Sequence, residues 1–347
     1  MTLEQAQAVV RSTQAPRRGT RRALVVDATP ASVGKEREQL EKQQREERER
    51  RVEEYKATME LLKKRGVKGL GPPETEKRRA ATPGGGGRRR APGVTDPNAG
   101  KPLQIFAEGD SWFDYPVPLF GGGIVLRLQK KLGVPVLNLA KAGDEARFML
   151  GVKERQIIVQ QLTNGCPAGG PWDAMLFSGG GNDIVDNPMA LWITDFDPNI
   201  PVVNHIHPAR FAAALDLVRF AYEDLIGLRD QLSPTTHLIF HAYDFAIPDG
   251  RGVCFMGPWL QPTFKLRKFP TQAAGFNVVK AMLQKFAAML TALEGAHPNV
   301  TFINGQGTLA PVTTSWHNEL HPTKTGFQTF ADLFHAKLKA MFPGRVL

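Results

Sequence analysis

From residue 101 onward, short apolar runs alternate with longer stretches in which apolar residues recur every three or four positions. The runs 103–109 (LQIFAEG), 135–140 (PVLNLA), 174–179 (AMLFSG), 236–243 (THLIFHAY) and 300–305 (VTFING) have the length of strands. Helices are predicted near 121–132, 146–162, 208–231, 273–294 and 324–341. In the third of these, Phe211, Leu215, Val218, Tyr222 and Leu225 fall on one stripe. Five apolar strands alternating with helices predict a parallel sheet covered on both faces. Such sheets bind ligands at the carboxyl ends of their strands.

The first hundred residues follow another pattern. Residues 35–66 mix both charge signs at helical spacing with very few apolar positions. The expectation is a solvated single helix supported by pairs such as Glu41 with Arg45 and Glu46 with Arg50, each worth roughly 0.2–0.5 kcal/mol. Sustained apolar heptads are missing, which disfavours a coiled coil. The Pro-, Gly- and Arg-rich stretch that follows reads as a flexible linker.

Charge and aromatic content sharpen that division. The formal net charge is +10, yet residues 1–100 hold 23 basic and 14 acidic side chains, so the remainder is nearly neutral. Of 29 aromatic residues, only Tyr55 lies in the first hundred. A segment so poor in large apolar side chains cannot offset its ordering entropy alone. Two regions are expected: a basic, charged extension over 1–100 and an α/β domain over 101–347. The functional reading of the extension is a tether for an anionic partner, whether lipid surface, nucleic acid or acidic protein. The plainer reading is a disordered leader kept soluble by its charge.

Two cysteines, Cys166 and Cys254, are too few for a disulfide framework and make no metal pattern. No apolar run is long enough to span a membrane. The opening residues lack the layout of a secretory signal, so a cytoplasmic start is expected, with any export by another route.

Candidate chemistry gathers at the predicted carboxyl edge. The first strand runs into Gly109-Asp110-Ser111, the second is followed by Gly143, the third by Gly-Asn-Asp at 181–183, and the last by a loop ending in His321-Pro322. A serine hydroxyl needs a base to become a nucleophile, and imidazole serves near neutral pH. A tetrahedral oxyanion needs preorganised donors, which a glycine N–H and an asparagine amide can supply. Asp110 and Asp183 read as loop anchors. His317 and His321 flank Glu319, but Pro322 and the order of residues disfavour a zinc helix, and no metal is expected. No phosphate-loop ending and no G-x-S-x-G elbow occur.

These four blocks, in this order, resemble those of the SGNH (GDSL) hydrolases, over about residues 103–340. The resemblance implies a three-layer α/β/α flavodoxin-like fold, a five-stranded parallel sheet of order 2-1-3-4-5, and ester hydrolysis without metal or other cofactor. It implies Ser111 as nucleophile, His321 as general base, and an oxyanion hole from the Ser111 and Gly143 backbone N–H groups with the Asn182 amide. Residues 186–207 and 244–272 are long, Trp-, Phe-, Met- and Pro-rich insertions. With residues 117–120 they favour a lipid or acyl ester substrate slightly over a carbohydrate acetyl ester, or they simply pack onto the domain.

One position departs from the family pattern. Where the family carries an Asp three residues before the histidine, this chain has Asn318. In a serine protease the same exchange costs about 10⁴ in turnover. Three accounts stand open: Glu319 or another carboxylate takes the role, a Ser–His dyad suffices, or Asn318 is an introduced, inactivating substitution; a separate reading is a non-catalytic binding module that has lost turnover at Asn318. Glu319 is expected to face another side, which favours the second and third accounts.

Overall fold

A computed structural model describes residues 30–64, 102–115, 121–167, 169–253 and 256–346, together with Leu3 and Gln7. The linker, residues 117–120 and Cys254 lie outside the described residues. Five strands, β1 (Ile105–Gly109), β2 (Val136–Asn138), β3 (Ala174–Ser178), β4 (His237–His241) and β5 (Val300–Ile303), form one sheet in the order β2-β1-β3-β4-β5. Every pairing is parallel. This is the order the SGNH resemblance implies. All five residues of β1 and of β3 are buried, which is why these strands show no polar alternation.

The predicted helices are present with one revision. In chain order the helices are α1 (Pro30–Lys64), α2 (Ile124–Leu132), α3 (Ala146–Met149), α4 (Val152–Asn164), α5 (Pro208–Leu232), α6 (Gln261–Leu266), α7 (Gln272–Ala296) and α8 (Lys324–Met341). The single helix expected over 146–162 is two, because Gly151 takes extended backbone and caps the second. The strands are shorter than their apolar runs. Ala242 and Tyr243 continue past β4 as buried loop that carries side chains toward the carboxyl edge.

Helix α1 corrects the expectation of full solvation. It is helical, but Arg48, Tyr55, Met59 and Leu62 are buried, and Val52 packs against the core. Spaced four, three, four and three apart, these residues form one stripe that docks beside β2. The Tyr55 ring lies 5.7 Å from that of Trp172, and its hydroxyl is 3.7 Å from the Cys166 sulfur. The stripe was hidden because one of its members is arginine, whose long stem can be buried while its head finds polar partners. Arg50 bonds Glu47, at 2.5 and 3.1 Å, where a pair with Glu46 was expected, and Arg51 bonds Glu47 at 3.3 Å; the Glu41 side chain of the other expected pair lies outside the described residues.

The two insertions fold onto the domain. Residues 186–207 form two short 3₁₀ turns, Asn187–Leu191 and Val202–His205. Phe196 stacks on His205 at 5.1 Å and meets Phe269 of the second insertion at 5.4 Å, so part of their aromatic content serves packing.

The docked stripe has a measurable consequence. Leu62→Ala should cost about 2–5 kcal/mol in urea unfolding, as for other buried leucines. A helix solvated on all sides would give under about 0.5 kcal/mol.

Candidate active site

The serine sits on a tight turn that the sheet itself builds. As β1 ends, the Asp110 N–H donates to the Ser178 carbonyl at 2.9 Å. The N–H groups of Phe113 and Asp114 then return to the Asp110 carbonyl at 3.1 and 3.0 Å. A Cβ at Gly109 would stand 2.6 Å from the Ser178 oxygen, so glycine is what lets β1 and β3 close together beneath the turn.

Asp110 anchors this turn from inside. Its carboxylate accepts from the Trp112 N–H at 3.0 Å, the Ser178 hydroxyl at 2.8 Å and the Tyr243 hydroxyl at 2.5 Å. Burial nevertheless pushes its pKa up to about 6. His241 Nε2 lies 2.8 Å from the Ser178 hydroxyl, extending the network. Ser178 and His241 close β3 and β4, and Tyr243 lies two residues past β4. Ser178, His241 and Tyr243 went unread in the sequence, where the only signal was a polar residue closing each apolar run.

Ser111 Oγ lies 2.6 Å from His321 Nε2, and His321 Nδ1 lies 2.9 Å from Asn318 Oδ1. All three side chains are buried. Asn318 Oδ1 also accepts the backbone N–H of Leu320 at 3.0 Å and of His321 at 2.9 Å. Those two groups can only donate, so the amide must face them with its oxygen. The imidazole therefore carries its proton on Nδ1 and presents a bare Nε2 to the serine. An inverted amide would donate to Nδ1 and leave the wrong tautomer, the failure seen in the serine protease. Here local backbone geometry forbids it.

Among the described residues, no carboxylate acts on the imidazole. Burial, with a smaller contribution from His317, lowers the His321 pKa to about 3. The Tyr115 ring stacks on His321 at 4.4 Å, offering an aromatic face to an imidazolium. The Asn318 Nδ2 donates to the Tyr115 hydroxyl at 3.1 Å, and that hydroxyl meets His317 Nδ1 at 2.7 Å.

Glu319 is engaged with the long insertion. Its buried carboxylate accepts the N–H groups of Gly250, Trp259, Leu260 and Gln261 at 2.5–2.9 Å. It stitches the 244–272 insertion, and Trp259 of that insertion comes edge-on to His321 at 5.9 Å.

Two of the expected anion donors, Gly143 and Asn182, lie on loops that are bonded to each other. Gly143 (φ 87°) occupies a turn closed by the Asp144 N–H on the Lys141 carbonyl at 3.2 Å. The Asn182 amide donates to the Asp144 carbonyl at 2.9 Å, tying the two loops together. An amide nitrogen has two hydrogens, so one further donor belongs to this group. Asp183 accepts the N–H groups of Ala146 and Arg147 at 2.8 and 3.4 Å, anchoring α3 as a loop-fixing residue should.

His205 and His207, which the sequence places two apart, both have backbone partners. His205 Nε2 accepts the Asp197 N–H at 2.8 Å, its Nδ1 lies 2.9 Å from the Val202 carbonyl, and His207 caps α5. Among the described residues, no cluster of three His, Cys, Asp or Glu could hold a metal. Nor, among them, is any helix long and apolar enough to cross a membrane.

No family model matches the chain, and no curated protein does. Among solved structures it is similar to the lipase Lip_vut3 from a goat rumen metagenome, at 19% identity and a TM-score of 0.45, covering 67% of this chain and 96% of that one. It is also similar to an extracellular lipase from Streptomyces rimosus, at 15% identity and a TM-score of 0.43, covering 67% and 99%. A carbohydrate esterase of family 3 from Talaromyces cellulolyticus shows 12% identity and a TM-score of 0.41, covering 69% and 98%.

The position of Glu319 can be checked directly. Glu319→Gln replaces one of the two accepting oxygens with a donor facing N–H groups, so it should cost about 1–3 kcal/mol in thermal unfolding. Well below the melting temperature, Ser111 should keep its reactivity toward a fluorophosphonate. Loss of labelling in a folded Glu319→Gln chain would mean that Glu319 serves the imidazole.

Proposed function

We propose that this chain is a serine esterase of the SGNH type, cleaving a carboxylic ester through an acyl-enzyme. The observation that carries the reading is the buried relay Ser111 Oγ to His321 Nε2 at 2.6 Å, with Nδ1 held on Asn318 Oδ1 at 2.9 Å. His321 takes the Ser111 proton as Oγ attacks the ester carbonyl, then delivers it to the departing alkoxide. Water, deprotonated by the same nitrogen, hydrolyses the acyl-serine and restores the hydroxyl. The N–H groups of Ser111 and Gly143, with the Asn182 amide, receive the oxyanion, each such donor being worth about 2.7–4 kcal/mol.

A lipid or acyl ester is the favoured substrate class. Phe148 is 55% and Val152 84% exposed just beyond the Gly143 loop, an apolar surface where an acyl chain could lie. A series of p-nitrophenyl esters tests this. Rates should rise from acetyl to medium chains, and a preference for acetyl would turn the reading toward a carbohydrate deacetylase.

Catalysis itself is tested by labelling with a fluorophosphonate and mapping the adduct. Labelling should fall on Ser111 and vanish in Ser111→Ala and His321→Ala. Absence of labelling in the unaltered chain would leave a binding module on a hydrolase fold.

The lowered His321 pKa sets the pH profile. A base must be unprotonated to act, so rate falls as pH drops through its pKa. With that pKa near 3, the acid limb should lie well below the ordinary imidazole value. In Asn318→Asp an adjacent negative charge should raise it by about 1–3 units. The acid limb should shift upward, while labelling at neutral pH becomes about ten- to a hundredfold faster as the imidazolium gains a counter-charge. An unshifted limb in the Asp variant would mean that another group governs the profile.

A further inference from the structure

Helix α1 reaches the catalytic edge through two arginines. Arg51 sits astride two loops. One Nη donates to the Ala140 carbonyl at 3.0 Å and lies 3.5 Å from that of Asn138, at the start of the loop carrying Gly143. The other Nη pairs with Asp114 at 2.9 Å, three residues past Ser111 on the serine turn. One guanidinium thus joins the nucleophile loop to the oxyanion loop.

Arg48, nearly one turn earlier, braces the same loop from beneath. Its Nε donates to the Leu139 carbonyl at 3.0 Å. Its head lies 3.6 Å from Glu108 on β1, 3.5 Å from Asp144 and in contact with Glu154 on α4. Asp144 is the residue after Gly143, and its carbonyl holds the Asn182 amide. Lys141 closes the loop onto Asp144 at 2.9 Å. The carbonyls of residues 139 and 140, beyond the end of β2, would otherwise point off the sheet edge, and the planar guanidinium fork suits them as an ammonium would not.

We infer that α1 is a splint for the active site, in which Arg51 is a positioning residue setting the Gly143 oxyanion loop against the Ser111 turn, with Arg48 supporting it. This rests on the esterase reading for its catalytic consequence, and on the contacts alone for its structural one. The N-terminal helix then belongs to the catalytic unit, and anything that draws it away, such as a partner competing for its arginines, lowers turnover without touching substrate.

The experiment compares the full chain with Arg51→Met, Asp114→Asn and the double variant. It measures the limiting rate of Ser111 phosphonylation, the half-saturating probe concentration, and hydrogen exchange over 110–115 and 138–144. Each single variant should lower the limiting rate about tenfold or more and leave half-saturation within about twofold, since the probe's binding surface is unchanged. The double variant should be little worse than either single one, because both remove one bridge. Exchange should quicken in both loops and stay unchanged in β4 and β5. A rate within twofold of the unaltered chain, additive losses, or unchanged exchange in the loops would overturn the inference. If Arg51→Met fails to fold, the isosteric Asp114→Asn decides alone. If the unaltered chain does not label, the esterase reading fails, and exchange still decides whether Arg51 couples the loops.

Discussion

The Asn318 carbonyl, receiving two backbone N–H groups and one imidazole N–H, is the interaction on which the site depends. A carboxylate at this position would orient the ring from either oxygen and supply charge as well. An amide has one acceptor end, so its direction must be enforced from outside. The chain enforces it within four residues, by curling the backbone so that two donors converge on the oxygen. Orientation survives the loss of charge. What is lost is electrostatic support for the imidazolium, and with it the basicity of a ring that burial already disfavours as a cation.

Buried charge elsewhere follows the same logic of local compensation. Glu108 lies on β1 with Arg48 beside it, yet desolvation outweighs that partner and pushes its pKa up to about 8. Asp144 is raised for the same reason, despite Lys141 and Arg48. Arg48 is therefore more than a surface contact of the helix. Removing it would take from Glu108 its nearest cation and leave Asp144 with Lys141 alone. Arg48, like Arg51, joins the docked helix to the loop that carries Gly143.

Acidic residues also organise the loops that the sheet does not reach. Asp110 holds the serine turn, Asp183 holds the start of α3, Asp244 accepts from Phe245, Gly307 and Leu309, and Glu319 gathers four amides of the long insertion. Each replaces a ladder with a single side chain carrying several acceptor sites. Loops fixed this way hold Ser111, Gly143 and Asn182 at the ends of a short sheet.

The sequence by itself determined the alternating strands and helices and the order of the blocks bearing Ser111, Gly143, Asn182 and His321. These are local: apolar period follows from the repeat of a strand or helix, and glycines and prolines mark where the repeat stops. It also singled out Asn318 as the exception. Only the tertiary structure decided how that exception is accommodated, because amide direction depends on where the Leu320 and His321 N–H groups point. It alone decided that Glu319 serves a loop, that Ser178, His241 and Tyr243 support the serine turn, and that α1 is docked. Each of these three depends on partners between 58 and 133 residues away, and a side chain's letter carries its chemistry without saying which distant carbonyl or carboxylate the fold will bring to it.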